Sequence, residues 1–228
     1  MSGYHEESPV NPLPSAVVAL AAAIFGVEVL FQLGERGLVG GPEAIGWRLV
    51  ALNRFALPGD AVGWMVEQGR APFWVWQRFV TYCFVHASFT QAIFVLVFLL
   101  ALGKMVGDIF AGWAVLVVFF GSGIVGGVVY SVALSDPYPL IGGFPAVYGL
   151  IGAFTFLLWV RLAVTGGPQS RAFILIGMLM GIQLLFGLIF GGNNDWVADI
   201  AGFASGFGLS FVVSPGGWDR VVARLRQR

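Results

Sequence analysis

Few residues in this chain could do acid–base, nucleophilic or metal chemistry. There are two histidines, His5 and His86, and one cysteine, Cys83. One thiol makes neither a disulfide framework nor a thiolate zinc site. Two histidines are too few for most histidine-built metal or haem centres, so no metal or cofactor is expected. A serine activated by a histidine would be an acyl-transfer pair. Ser88 lies two residues beyond His86, and Ser122 and Ser131 follow, but no spacing here specifies such a dyad. Two carboxylates, Glu28 and Asp199, fall inside long apolar stretches. Opposed carboxylates sharing a proton can activate water, yet nothing in the sequence brings these two together. An intramembrane carboxylate is a candidate functional group in its own right. Asp199, Gly202 and Gly206 stand at i, i+3 and i+7, on one helix face, which points Asp199 into a packed interior. No Lys or Arg is expected at its depth. It should therefore hold or share a proton and bond to Gln91, Tyr148 or Asn194; a polar client-binding or ion site is the alternative.

The elements that position these groups follow from composition. Of 228 residues, 58% are hydrophobic and only 11% charged, with 33 glycines and net charge +0. A soluble domain of this length needs more charge on its surface. A neutral chain has no field to attract polyanions, so no nucleic acid is expected as partner. The reading is an all-α polytopic membrane protein whose first partner is the lipid bilayer. A span needs about 20 apolar residues, and six segments qualify: 15–33, 81–102, 111–134, 144–159, 172–190 and 196–213. Residues 1–14 read as a disordered cytoplasmic arm without a cleaved signal, 15–213 as the membrane domain and 214–228 as a basic cytoplasmic tail. Lys104, Arg161, Arg171 and the tail arginines put both termini in the cytoplasm by the positive-inside rule. The long first loop, 34–78, mixes Trp and Arg at helical spacing. It either lies in the outer interface or packs on the bundle as an ordinary amphipathic loop. Small-residue faces, among them Gly123 and Gly127, Gly149, Gly177 and Gly181, and Gly202 and Gly206, predict close helix contacts.

Three stretches together resemble the rhomboid family of intramembrane serine proteases. They are RFVTYCFVHASFTQAIFVLVF (78–98), GGFPAVYGLIGAF (142–154) and WVADIAGFASGFGLSF (196–211). The resemblance implies a six-helix rhomboid-like bundle with a long interfacial first loop, and an inner-membrane location in bacteria. It also implies where catalysis would sit: a serine atop span four, a histidine in span six, and a histidine and asparagine in span two that help hold the oxyanion. Those four positions here carry Phe144, Asp199, Gln91 and Val95, and Pro145 replaces the glycine after the serine. Phe144 has no nucleophilic atom and is expected to plug the vacated pocket. Gln91 is expected to donate to Asp199 or Tyr148.

The chain is therefore expected not to be an enzyme. The first functional reading is a rhomboid-like pseudoprotease that binds transmembrane helices of other proteins, as a scaffold, assembly or quality-control factor. The rebuilt pocket, Gln91, Phe144, Pro145, Tyr148 and Asp199, would be its binding site. In the resembled family clients approach beside spans two and five. Two other readings stay open: an active protease with a displaced nucleophile, and a structural subunit of a larger membrane complex.

Overall fold

A computed structural model describes residues 12–134, 136–190 and 193–216. Most of the arm and of the basic tail lies outside them. Among the described residues five helices are long and apolar enough to cross a membrane: α1 (Ser15–Glu35), α6 (Phe89–Gly107), α7 (Gly112–Ala133), α8 (Phe144–Thr165) and α10 (Trp196–Val213). The expected fifth span is α9 (Ile174–Phe190), of 17 residues. At 1.5 Å per residue it reaches about 25 Å, short of a hydrocarbon core of about 30 Å. Of the six expected spans, five are helices of spanning length among the described residues, and the remaining one is the shorter apolar helix α9.

Local chemistry sets the helix ends. Ser88 caps α6, its Oγ accepting from the Gln91 amide at 3.2 Å, which satisfies one orphan N–H. Pro145 stands in the first turn of α8, where a missing N–H costs nothing. Gly166 closes α8 at φ +71°, the left-handed cap conformation.

The core is a three-helix contact of α7, α8 and α10, with α1 and α6 packed alongside. Glycine makes it possible. A Cβ on Gly206 would overlap the Gly149 carbonyl, one on Gly202 the Pro145 carbonyl, and one on Gly152 the Phe203 carbonyl. Gly149 itself faces Ser122 of α7. Gly123 of α7 faces Cys83 and Ala146 of α8, and Gly127 faces Leu57, Phe79 and Tyr82, in the segment between α1 and α6. The expectation for Gly177 and Gly181 is overturned: both are exposed on α9, and no described atom beyond their own helix backbone lies within 4 Å of a built Cβ.

The first loop folds into α2 (Trp47–Phe55), α3 (Ala61–Glu67), α4 (Phe73–Trp76) and α5 (Arg78–Thr81). Strand β1 (Leu57–Gly59) within it pairs antiparallel with β2 (Asp136–Leu140), the connection between α7 and α8. The all-α expectation missed this ribbon, because neither strand alternates. Gly59 permits it: a Cβ there would collide with the Asp136 backbone. Ala56, Leu57, Ala61, Val75 and Phe79 are buried, whereas Leu49, Val66, Phe73, Trp74 and Trp76 are exposed. The loop thus packs by one edge and leaves an apolar, aromatic edge open.

Candidate functional site

Two polar clusters bear on the resembled family's catalytic positions in the bundle. The first stands at the N-terminus of α8. Residues 141–143 are laced to the segment before α6. The Gly142 amide donates to the Tyr82 carbonyl at 3.0 Å, and Gln91 Nε2 donates to the Ile141 carbonyl at 3.2 Å. Gln91 Oε1 accepts from the Ala87 amide at 2.8 Å. The expected bond from Gln91 to Asp199 or Tyr148 is absent among the described residues; its amide is spent on two backbone groups nearer its own end of the helix. His86 is buried, and its Nε2 accepts from the Gly143 amide at 3.4 Å. Burial pushes the His86 imidazole down to about 4, so it stays neutral and keeps that acceptor. Val95 is fully buried and lies 3.0 Å from where a Gly143 Cβ would be. Gly142 has φ +94°, and a side chain there would press on Gln91 and His86. Gln91, His86 and Val95 thus close tightly around the Gly142–Gly143 turn. Phe144 follows it, half-buried and packed on the core.

The second cluster joins three helices. Tyr148 Oη of α8 donates to Gln183 Oε1 of α9 at 3.1 Å. Gln183 Nε2 donates to Asp199 Oδ2 of α10 at 2.9 Å. Asp199 is 3% exposed, and its Oδ1 has no partner among the described residues. Asp199 therefore reaches Tyr148 through Gln183. The expected direct partners Gln91 and Asn194 are engaged elsewhere; Asn194 Nδ2 donates to Asp136 Oδ2 at 2.8 Å. Gln183 escaped the sequence reading because the search was for charge. A side-chain amide in an apolar span was the available signal, since it too must find a partner.

Arg48 was also missed. Helical spacing sets it on the polar side of the first loop, in the outer interface or against the bundle, with no partner named. It reaches inward instead and binds Glu28 through Nη1 at 3.0 Å and Nη2 at 2.7 Å. Its Nη1 also donates to the His86 carbonyl at 2.9 Å, and its Nε to Glu35 at 2.6 Å. Hydrogen bonds donated to Glu28 hold the guanidinium protonated well beyond its usual range. Glu28 and Asp199 thus belong to separate clusters. Ser88 and His86 are each bonded to other groups, the cap and the Gly143 amide. Ser131 donates to the Pro58 carbonyl at 3.4 Å, and buried Ser122 faces Gly149. Among the described residues no group of three or more His, Cys, Asp or Glu could hold a metal.

The comparisons agree with the geometry. The family model for the rhomboid domain matches residues 74–216. The Bacillus subtilis (strain 168) protein named "Putative rhomboid protease YdcA" is 30% identical over 141 residues, which cover 60% of this chain and 67% of the relative. The matched region holds α6 to α10 with both sides of the Gly142–Gly143 turn, and its apolar helices make the chain an integral membrane protein. This chain belongs to the rhomboid family.

Proposed function

We propose that this chain is a rhomboid-like pseudoprotease that binds transmembrane helices of other membrane proteins as a scaffold, assembly or quality-control factor. One observation carries the reading. The family's nucleophile and base positions hold Phe144 and Asp199, and Asp199 is bonded to Gln183, with no serine beside it among the described partners. A general base needs a nucleophile within hydrogen-bond reach.

Purification in mild detergent, followed by identification of co-purifying chains, tests the binding function. Transmembrane proteins held at stoichiometric ratio are expected; a chain that purifies alone counts against it. Fluorophosphonate labelling is expected to be blank, and no model transmembrane substrate should be cleaved. Turnover by purified protein that is lost on Ser88→Ala overturns the reading. The double change Phe144→Ser with Asp199→His should not restore activity. Gln91 stays bonded to backbone, Val95 donates nothing, and each missing oxyanion donor is worth about 3–4 kcal/mol of barrier.

We place both termini in the cytoplasm of a bacterium, with the first loop in the outer interface of the inner membrane. Cysteines introduced at Asp136 and Gln169 test this. External reagent should reach the first and not the second, and the reverse pattern inverts the topology.

A further inference from the structure

Among the described residues, helix α9 presents mostly exposed side chains. Its Ile174, Met178, Ile182, Leu184, Leu185 and Ile189 are exposed, and only Ile176 and Met180 are buried among its described large side chains. Its side-chain hydrogen bonds to the bundle, among the described residues, run through Gln183 alone, to Tyr148 and to Asp199. Behind that amide lies a carboxyl group 3% exposed, with one oxygen unpaired among the described residues. Fully satisfied buried carboxyls accept several bonds, as Glu28 does from Gln32 and Arg48. An unmet acceptor in an apolar interior costs free energy that a donor would recover.

We propose that Asp199 is the recognition site for a hydrogen-bond-donor side chain on a client transmembrane helix, received at Oδ1 while Gln183 holds Oδ2. This rests on the helix-binding function proposed above and adds what is recognised. The client is an apolar helix carrying one donor, such as an Asn or Gln amide, at the depth of Asp199. The carboxyl supplies the matching acceptor, and the exposed apolar face of α9 supplies the contact for the rest of the helix. A purely apolar helix gains nothing at Oδ1.

The experiment uses the full chain in liposomes and two model helices, a poly-leucine segment and the same segment with one central Asn. Fluorescence energy transfer from labelled protein to labelled helix reads binding. The Asn helix should bind about three- to thirty-fold better, the range expected of one interhelical hydrogen bond in a membrane. Asp199→Leu should erase that preference. Gln183→Leu frees Oδ2 as a second acceptor and should enlarge it, which keeps the test decisive where Asp199→Leu does not fold. Equal binding of both helices, unchanged in either variant, overturns donor recognition and leaves helix binding standing; a lipid hydroxyl or water then satisfies Oδ1. Binding of neither helix overturns donor recognition too, and co-purification then decides the helix-binding function separately.

Discussion

Glu28 and Asp199 are chemically alike and almost equally buried, at 1% and 3% exposure, yet their surroundings differ. Glu28 of α1 meets a guanidinium on both oxygens and also accepts from Gln32 at 3.1 Å. Its cation, Arg48, goes on to Glu35, the His86 carbonyl and the face of Phe31. That cluster ties α1, α2 and the approach to α6 into one piece. Asp199 receives one described bond, from an amide on the least-packed helix. A carboxyl in the apolar interior is therefore a structural lock where a cation closes it. Where only an amide on a loose helix meets it, it keeps capacity for another partner.

The sharpest way to break this contrast is to remove the cation. Arg48→Leu leaves Glu28 buried without its charge partner, and breaking such a pair costs about 3–5 kcal/mol. Replacing both Glu28 and Arg48 by Leu should cost less than the single change, because no lone charge remains. Unfolding of the variants in one detergent measures both. If Arg48→Leu is as stable as the parent chain, the cluster is no lock and the contrast with Asp199 fails.

Asp199 should be less sensitive. Asp199→Asn keeps an acceptor for Gln183 and is expected to fold nearly as well as the parent. Asp199→Leu strands the Gln183 amide and adds bulk beside the Gly202 contact, a loss of about 1–3 kcal/mol. Thermal stability of the two in the same detergent separates them. A stable Leu variant beside a weak Asn variant means that the carboxyl acts through charge, as a cation or basic-client site, and the hydrogen-bond account of Asp199 is abandoned.

What the sequence made legible follows from the range of each interaction. Long apolar runs report spans directly, and the spacing of Asp199, Gly202 and Gly206 reported a buried face, since i, i+3 and i+7 lie on one side of a helix. The ion pair between Glu28 and Arg48 was not legible: its register depends on how a loop folds back on α1, which no local pattern encodes. The β1–β2 ribbon was hidden for the same reason, each strand having meaning only opposite the other. At the site, Phe144 and Asp199 could be placed by the motifs around them. The partner Gln183 could not, because α9 lies between the second and third motifs, outside both, and pairing across helices depends on rotation about each axis. Gly177 and Gly181 show the converse error, in which helical spacing of small residues was read as contact.

That error supplies the smallest expected effect. Gly206 and Gly181 both stand in apolar helices in a small-residue pattern, and sequence alone treats them alike. A Cβ on Gly206 runs into the Gly149 carbonyl, and backbone cannot swing aside as a side-chain tip can. Gly206→Ala must push α10 off α8, and overpacking of that kind costs about 1–3 kcal/mol. Gly181 faces open space, and α9 has no partner there among the described residues. Gly181→Ala should change stability by no more than about 0.5 kcal/mol, as for other exposed positions. Both variants are measured by the same detergent unfolding as Arg48→Leu, with the isolated full chain. Equal, small effects mean that α8 and α10 are not pinned by glycine contacts. A loss at Gly181 as large as that at Gly206 means that α9 is packed as tightly as the core, which removes the looseness on which its contrast with the Glu28 side depends.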